Sequence, residues 1–315
     1  MLKYAVETFN PEVIKPPPPK NNAYYYLGLG LMFINKIRHS IKGYANPRTF
    51  KIIEYQRAIE YDFGVFDNWM KYLALYTGIS PDIKGKTILE LGPGADLGVG
   101  LITLLNGAQR YNAIDVNNLV ESVPDRFYLE FFKFIKNKYS APDETIDYLY
   151  SQLRMTQKGK NERLNYIVSK NFDLLVFQDE EIDFVFSQAA FEHFDDVEKT
   201  VVQLSRIVKK GAILISEVDL KTHLRWIRDL DPNNIYRYND VIYELFRFSG
   251  SPNRLRPFEY RNILKKHGWS KVVIIPLTVA DDSYLARINV HLAKRFQESI
   301  NQMDYLTIML CGTKV

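Results

Sequence analysis

Cys311 is the only cysteine among 315 residues. No disulfide can form within such a chain, which fits a reducing compartment, and packing in the last strand is the role expected of that thiol. Long apolar runs are missing too: none approaches the ~18 to 20 residues of a membrane-crossing helix. The opening MLKYAVETFNPEV lacks the apolar stretch of a secretory leader, so none is expected. Excess charge is slight. A net +4 is too modest to argue for nucleic acid, and the surplus is local, with nine Lys+Arg against four Asp+Glu in the first 60 residues. There is no internal repeat, no Cys/His cluster with the spacing of a metal site and no arrangement resembling a Ser-His-Asp triad, so no metal is expected. What is present suits a large core: 46% hydrophobic residues, with 21 Tyr and 19 Phe.

The chain is organised around TILELGPGADLGVG, residues 87–100. Its apolar start after a Gly-Lys turn predicts a short buried strand. Gly92-Pro93-Gly94 ends that strand in a tight turn. A helix begins at Gly98 and is stopped by Gly107. A strand, a glycine turn and a helix start form a nucleotide site in outline, because glycine admits a ligand to the backbone and the helix start offers unpaired N–H groups.

Residues 111–115 read as a second strand ending in Asp115, which lies 23 residues after Gly92. An acid at about that distance is placed to accept hydrogen bonds from ribose hydroxyls. The dinucleotide pattern wants a third glycine at position 97, where Leu97 stands, so a nicotinamide fingerprint is broken.

The run Glu90-Leu91-Gly92-Pro93-Gly94 resembles motif I of the class I S-adenosylmethionine-dependent methyltransferases, of the type 11 kind, with Asp96 where a third glycine is usual. The resemblance covers roughly residues 85–220 and the terminal strands. It implies that the glycine loop lies against the methionine part of S-adenosylmethionine and that Asp115 holds the ribose. It makes Glu90, Gly92, Pro93, Gly94, Asp115, Asn171, Asp173 and Gln188 the candidate cofactor residues, Asn171 or its neighbour Asp173 lying near the adenine.

Downstream the strand–helix rhythm repeats. Residues 164–168, 182–186 and 212–216 read as strands, 195–208 as a helix opened by an Asp195/Glu198 capping box. Residues 259–267 and 286–294 read as helices, 271–277 and 305–311 as the last strands. The expectation is α/β: a Rossmann-like, doubly wound, mostly parallel seven-stranded sheet. An N-terminal arm and helices occupy residues 1–80 and the main domain residues 81–315. Two insertions, 117–165 and 218–258, form a cap. Pro16 to Pro19 make residues 1–22 a stiff arm. Residues 50–78 read as helical with a break near Gly64. The aromatic segment from Tyr24, closed by the basic Lys36 and Arg38, is either a helix packed on the domain or an interfacial helix touching a membrane over residues 24–42.

Acceptor substrates lie beyond strand five in the family. His223 there, and His193 after strand four, are candidate catalytic groups, since a histidine titrates near working pH. Against this, Glu192-His193 mainly shapes the loop beside the cofactor in the family, and His223 can equally be a surface histidine. Ser249 to Arg256 resembles a segment of a bacterial group of these enzymes associated with surface polysaccharides. Arg254 and Arg256 can hold an anionic or polyhydroxyl acceptor, with Asn253 and Trp226 beside them, or can anchor the loop. The reading is a cytoplasmic enzyme, possible at a membrane periphery, that methylates an oxygen or nitrogen of a small-molecule or glycan acceptor. A non-catalytic module keeping the fold, or a nicotinamide enzyme, are the rivals. The oligomeric state is open.

Overall fold

The computed structural model describes residues 10–43 and 54–315. Its elements run β1 (Glu12–Ile14), α1 (Asn21–Lys42), α2 (Tyr55–Thr77), β2 (Thr87–Leu91), α3 (Gly98–Leu105), β3 (Arg110–Asp115), α4 (Asp125–Tyr139), α5 (Asp143–Gln157), β4 (Leu164–Val168) and β5 (Ile182–Gln188). They continue with α6 (Val197–Ile207), β6 (Val208–Asp219), α7 (Asp240–Phe246), α8 (Pro257–Lys266), β7 (Trp269–Ala280), α9 (Asp282–Ile288) and β8 (Tyr305–Lys314). The strands form one sheet in the order β1-β7-β8-β6-β5-β2-β3-β4. All pairs are parallel except those of β8, which runs antiparallel between β6 and β7.

Every residue of β2 is buried, as a central strand covered on both faces requires. Its side chains alternate between two layers. Ile88 joins α2, α3, α4 and α5 in one core; Leu89 and Leu91 join α6 and α8 in the other. On the first face the Trp69 indole of α2 lies flat on Phe186 of β5, ring centres 4.9 Å apart. Helix α2 is unbroken. Gly64 sits on its exposed side with open space around it, so its cost is only intrinsic propensity, which the buried stripe from Tyr55 to Tyr76 outweighs. Gly78 ends it in the left-handed conformation, its N–H donating to Ala74 O, as a C-terminal glycine should. Residues 50–53 of the predicted helix lie outside the described residues.

An eighth strand comes from the arm. Ile14 pairs with Ala280 at the edge of β7, and Asp281 N–H donates to Ile14 O over 3.0 Å. Pro16 is buried. The arm is therefore part of the sheet from Glu12 on; residues 1–9 lie outside the described residues. The insertion 117–165 is not a lid. Phe127, Tyr128, Phe131 and Ile135 of α4 are buried in the first core with α2 and α3, and only Asn117 at its start reaches the cleft described below.

The second insertion packs elsewhere. Tyr236, Tyr238 and Tyr243 form a third cluster with Met32 of α1, Tyr284 and Phe296. Its centre is an ion pair without solvent: Arg237 Nε donates to Asp231 Oδ2 over 2.7 Å, Tyr284 OH donates to the other carboxylate oxygen over 2.6 Å, and Arg237 Nη2 reaches Asn21 of α1. Tyr25 O accepts from Tyr238 OH. One face of α1 thus belongs to the core, while Tyr26, Leu27, Phe33, Ile34, Ile37 and Ile41 are exposed. The predicted helix at 286–294 is shorter: α9 ends at Ile288 and single turns follow. Helix α6 takes Asp196 rather than Asp195 as its cap, accepting from Lys199 N–H, and Glu198 instead binds Lys266 and His267.

Candidate active site

A cleft of about 1080 Å3 opens where β2, β3, β4 and β5 end, at the carboxyl edge where open α/β sheets take ligands. Gly92 leaves β2 at φ +74°. A Cβ there would come within 2.8 Å of the Ala190 Cβ, so the turn and the loop after β5 touch only because this residue is glycine. Asp115 ends β3 and is 8% exposed. Burial raises its pKa, against backbone N–H groups of Asn117, Val116 and Gly94 that pull it down. Three donors leave room on the carboxylate for about one more. Gln188 closes β5, and its Oε1 is buried without a partner, an acceptor that a bound donor would satisfy.

The cleft's floor is acidic. Asp62 of α2, Asp96 and Glu90 lie close together there. Gly98 makes this possible, since a Cβ there would be 2.0 Å from Asp62 Oδ2. Burial first, then Asp96, raises the Asp62 pKa well above the carboxylate range. Burial raises Asp96 as well, against the Gly98 N–H that it caps. Glu90 is pushed up to about 8, mainly by burial, although the Tyr111 hydroxyl donates to it. Asp96 thus stands at the position of the usual third glycine as a helix cap. The start of α3 is not an open donor site, for Leu97 N–H is taken by Tyr128 OH and Gly98 N–H by Asp96. Asp62 and Asp96 were not among the sequence candidates. Their signal is there in retrospect: Asp62 interrupts the apolar stripe Ile59, Phe63, Phe66.

Of the sequence candidates, Glu90, Gly92, Pro93, Gly94, Asp115, Asn171, Gln188 and His193 converge on this cleft. Asp173 does not: its carboxylate caps the turn after β4, accepting from Leu175 N–H and Gln203 Nε2. The arginines are scaffold. Arg254 is 3% exposed and donates to Ile235 O, Tyr238 O and Asp240; Arg256 is 0% exposed and donates to Asn301 O, Gln302 O and Tyr305 O. Most of their donors go to backbone carbonyls and, for Arg254, to the Asp240 carboxylate, and neither residue lines the cleft. Asn253 donates to Phe191 O and accepts from Leu255 N–H and Tyr260 OH, holding the loop. Trp226 is 81% exposed and lies away from the cleft wall.

His193 ends the single turn Phe191–His193 after β5. Its Nδ1–H donates to Gly250 O over 2.6 Å. Burial, then the neighbouring His223, lowers its pKa to about 4, so the ring is neutral at neutral pH. The His223 ring centre is 4.7 Å away, tilted by 53°, with Nε2 3.7 Å from Asp219 Oδ2. His223 does not itself line the cleft; His193 does. The fold also brings Glu192 to this pair, a grouping that the scattered sequence spacing hid.

Residues 144–216 match the family model described as a methyltransferase domain. The matched stretch is about a quarter of the 315 residues. The match begins in α5 and ends in β6, covering Asn171, Gln188 and His193 but not the glycine turn. None of the curated proteins matches in sequence. Among solved structures, the CurJ carbon methyltransferase is 14% identical, with a TM-score of 0.43 over 80% of this chain and 54% of its own. Haemonchus contortus phosphoethanolamine N-methyltransferase 2, in complex with S-adenosylmethionine, is 14% identical, with a TM-score of 0.43 over 78% and 52%. Geranyl diphosphate methyltransferase is 12% identical, at 0.42 over 82% and 85%. The chain spans about half the length of the first two. S-adenosylmethionine is the cofactor that the resemblance of the glycine turn implies, and the residues present fit it: the Gly92 turn admits backbone contact, Asp115 and Gln188 have acceptors to offer, and the acidic floor suits its ammonium and sulfonium charges.

Proposed function

We propose that the protein is an S-adenosylmethionine-dependent methyltransferase acting on an oxygen or nitrogen of a small-molecule or glycan acceptor. The observation that carries this reading is the convergence of Glu90, the Gly92–Gly94 turn, Asp115 and Gln188 on one cleft at the strand ends. Asp115 would accept from the ribose, Asn171 would lie by the adenine, and the glycine turn would hold the methionine part above Asp62, Glu90 and Asp96. S-adenosylmethionine supplies an activated methyl group when bound; the protein supplies alignment and exclusion of water. The acceptor would enter past His193, where the cleft wall meets the second insertion at Gly250.

A glycan of the surface-polysaccharide kind is the first choice of acceptor, and a lipid-linked one the second, because α1 exposes an apolar strip beside Lys36 and Arg38. No described helix is long and apolar enough to cross a membrane, and any membrane contact through α1 would be peripheral. Calorimetry with S-adenosylmethionine and with NAD tests the cofactor, the first binding and the second not. Transfer of a labelled methyl group to candidate acceptors, with mass spectrometry of the product, tests the activity. Cofactor binding without any turnover would favour a non-catalytic module.

A further inference from the structure

Glu192, His193 and His223 offer one carboxylate oxygen and two imidazole nitrogens that all lie within 4.8 Å of one another. Glu192 is 2% exposed, and neither of its carboxylate oxygens has a hydrogen-bond partner. His223 Nε2 is likewise buried without a partner. Only backbone N–H groups of Glu192 and Asp219 lie against that carboxylate, and a buried carboxylate and imidazole nitrogen with so few close partners are costly. The same residues in the same place are a donor set. Two imidazoles and a carboxylate suit a divalent transition ion, and three protein ligands leave a coordination position open.

The surroundings fit that role. The Nδ1–H of His193 donates to the Gly250 carbonyl, the kind of outer contact that orients a metal-bound histidine. Asp219 lies 3.7 Å from His223 Nε2 but is already held by Arg228 and by Lys221 N–H, so it belongs to the outer ring rather than to the ligands. Asn253 N–H donates to Glu192 O over 2.7 Å, and Asn253 Nδ2 to Phe191 O over 2.8 Å. The loop therefore clamps the backbone that carries two of the three ligands.

We propose that Glu192, His193 and His223 bind a divalent transition ion, Zn2+ foremost, on the wall of the cleft beside His193. Resting on the methyltransferase reading, its use would be to hold and polarise the acceptor oxygen in the open position. The binding itself does not depend on that reading.

The test uses the full chain. The protein is stripped with chelator, incubated with Zn2+, desalted and assayed for metal content, and Co2+ is added in parallel to read the visible absorption of a nitrogen- and oxygen-ligated ion. Wild type should retain about one Zn2+ per chain, displaceable by Co2+. Removing an outer contact to a ligand typically weakens binding by about 10- to 100-fold. His223→Ala and His193→Ala should therefore cost at least about 100-fold in Zn2+ affinity. Glu192→Gln should do the same while keeping the shape of the buried side chain, and circular dichroism checks that each variant is folded. If wild type retains no Zn2+, or the folded variants hold it as tightly as wild type, the site is not a metal site. Calorimetry with S-adenosylmethionine on the metal-free protein reports separately on the methyltransferase reading.

Discussion

The Arg254 guanidinium lies 3.9 Å from the centre of the Tyr243 ring, at a residue whose backbone adopts φ +62°. A positive φ is costly for a residue with a side chain, and the carbonyls of Ile235 and Tyr238 with the Asp240 carboxylate hold it there. Loss of Arg254 or Arg256 would strand buried carbonyls. Arg254→Ala and Arg256→Ala should each lower stability by about 2 to 4 kcal/mol, read as an earlier denaturant midpoint, with little change in the acceptor KM of the protein that stays folded. A raised KM at unchanged stability would return the arginines to the acceptor.

The same logic marks the second insertion. Removing one member of a pair buried as completely as Asp231 and Arg237 leaves a charge with no partner, which costs roughly 3 to 5 kcal/mol. Arg237→Met should therefore destabilise strongly, whereas the double change Asp231→Leu with Arg237→Met should recover much of the loss. Chemical denaturation of the three variants measures it.

The sheet was legible because strand and turn signals are local. Residues 164–168 form the strand that their apolar run predicts, Gly92 turns at the end of β2 and Asp115 ends β3. The arginines were not legible, because an arginine after a Gly/Pro turn reads the same whether it meets a ligand or a carbonyl 45 residues away, as Arg256 meets Asn301. Glu192-His193 and His223 read as separate features of the sequence, since their meeting depends on the path of β6 and its following loop. Asp62 lies in a helix of another layer, and nothing local ties it to the glycine turn.

Asp115→Ala removes the acceptor at the tip of β3. A hydrogen bond to a charged group is worth about 1.5 to 3 kcal/mol, so cofactor affinity should fall about 10- to 150-fold. Gly92→Val should fall at least as far, given the 2.8 Å approach to Ala190 and the left-handed backbone. Calorimetry checks both, with thermal melting to show that the variants fold.

The arm contributes an edge strand. Deleting residues 1–20 removes the parallel pairing of Ile14 with Ala280 and the burial of Pro16. The truncated protein should melt several degrees lower, about what 1 to 2 kcal/mol produces in a chain of this size, and amide exchange should quicken along β7. An unchanged melt with unchanged exchange would make the arm dispensable.

Glu90 ties stability to pH. Its folded pKa of about 8 stands above the unfolded value of 4.5, so between those pH values the native state holds a proton that the unfolded chain has released. The sign follows directly: Glu90's contribution is fully present below about pH 4.5 and is lost as pH rises through about 8, at up to about 1.4 kcal/mol per pH unit. Glu90→Gln keeps an acceptor for the Tyr111 hydroxyl and cannot ionise. Urea unfolding at pH 5, 6, 7 and 8 should show the wild type losing stability relative to Glu90→Gln across the series. S-adenosylmethionine should flatten that slope, because a cation bound above the acidic floor favours the ionised carboxylate. The uncharged thioether S-adenosylhomocysteine, lacking the sulfonium, should flatten it less. Parallel pH curves for wild type and Glu90→Gln would show that Glu90 is already ionised and that the floor carries its charge without help from a ligand.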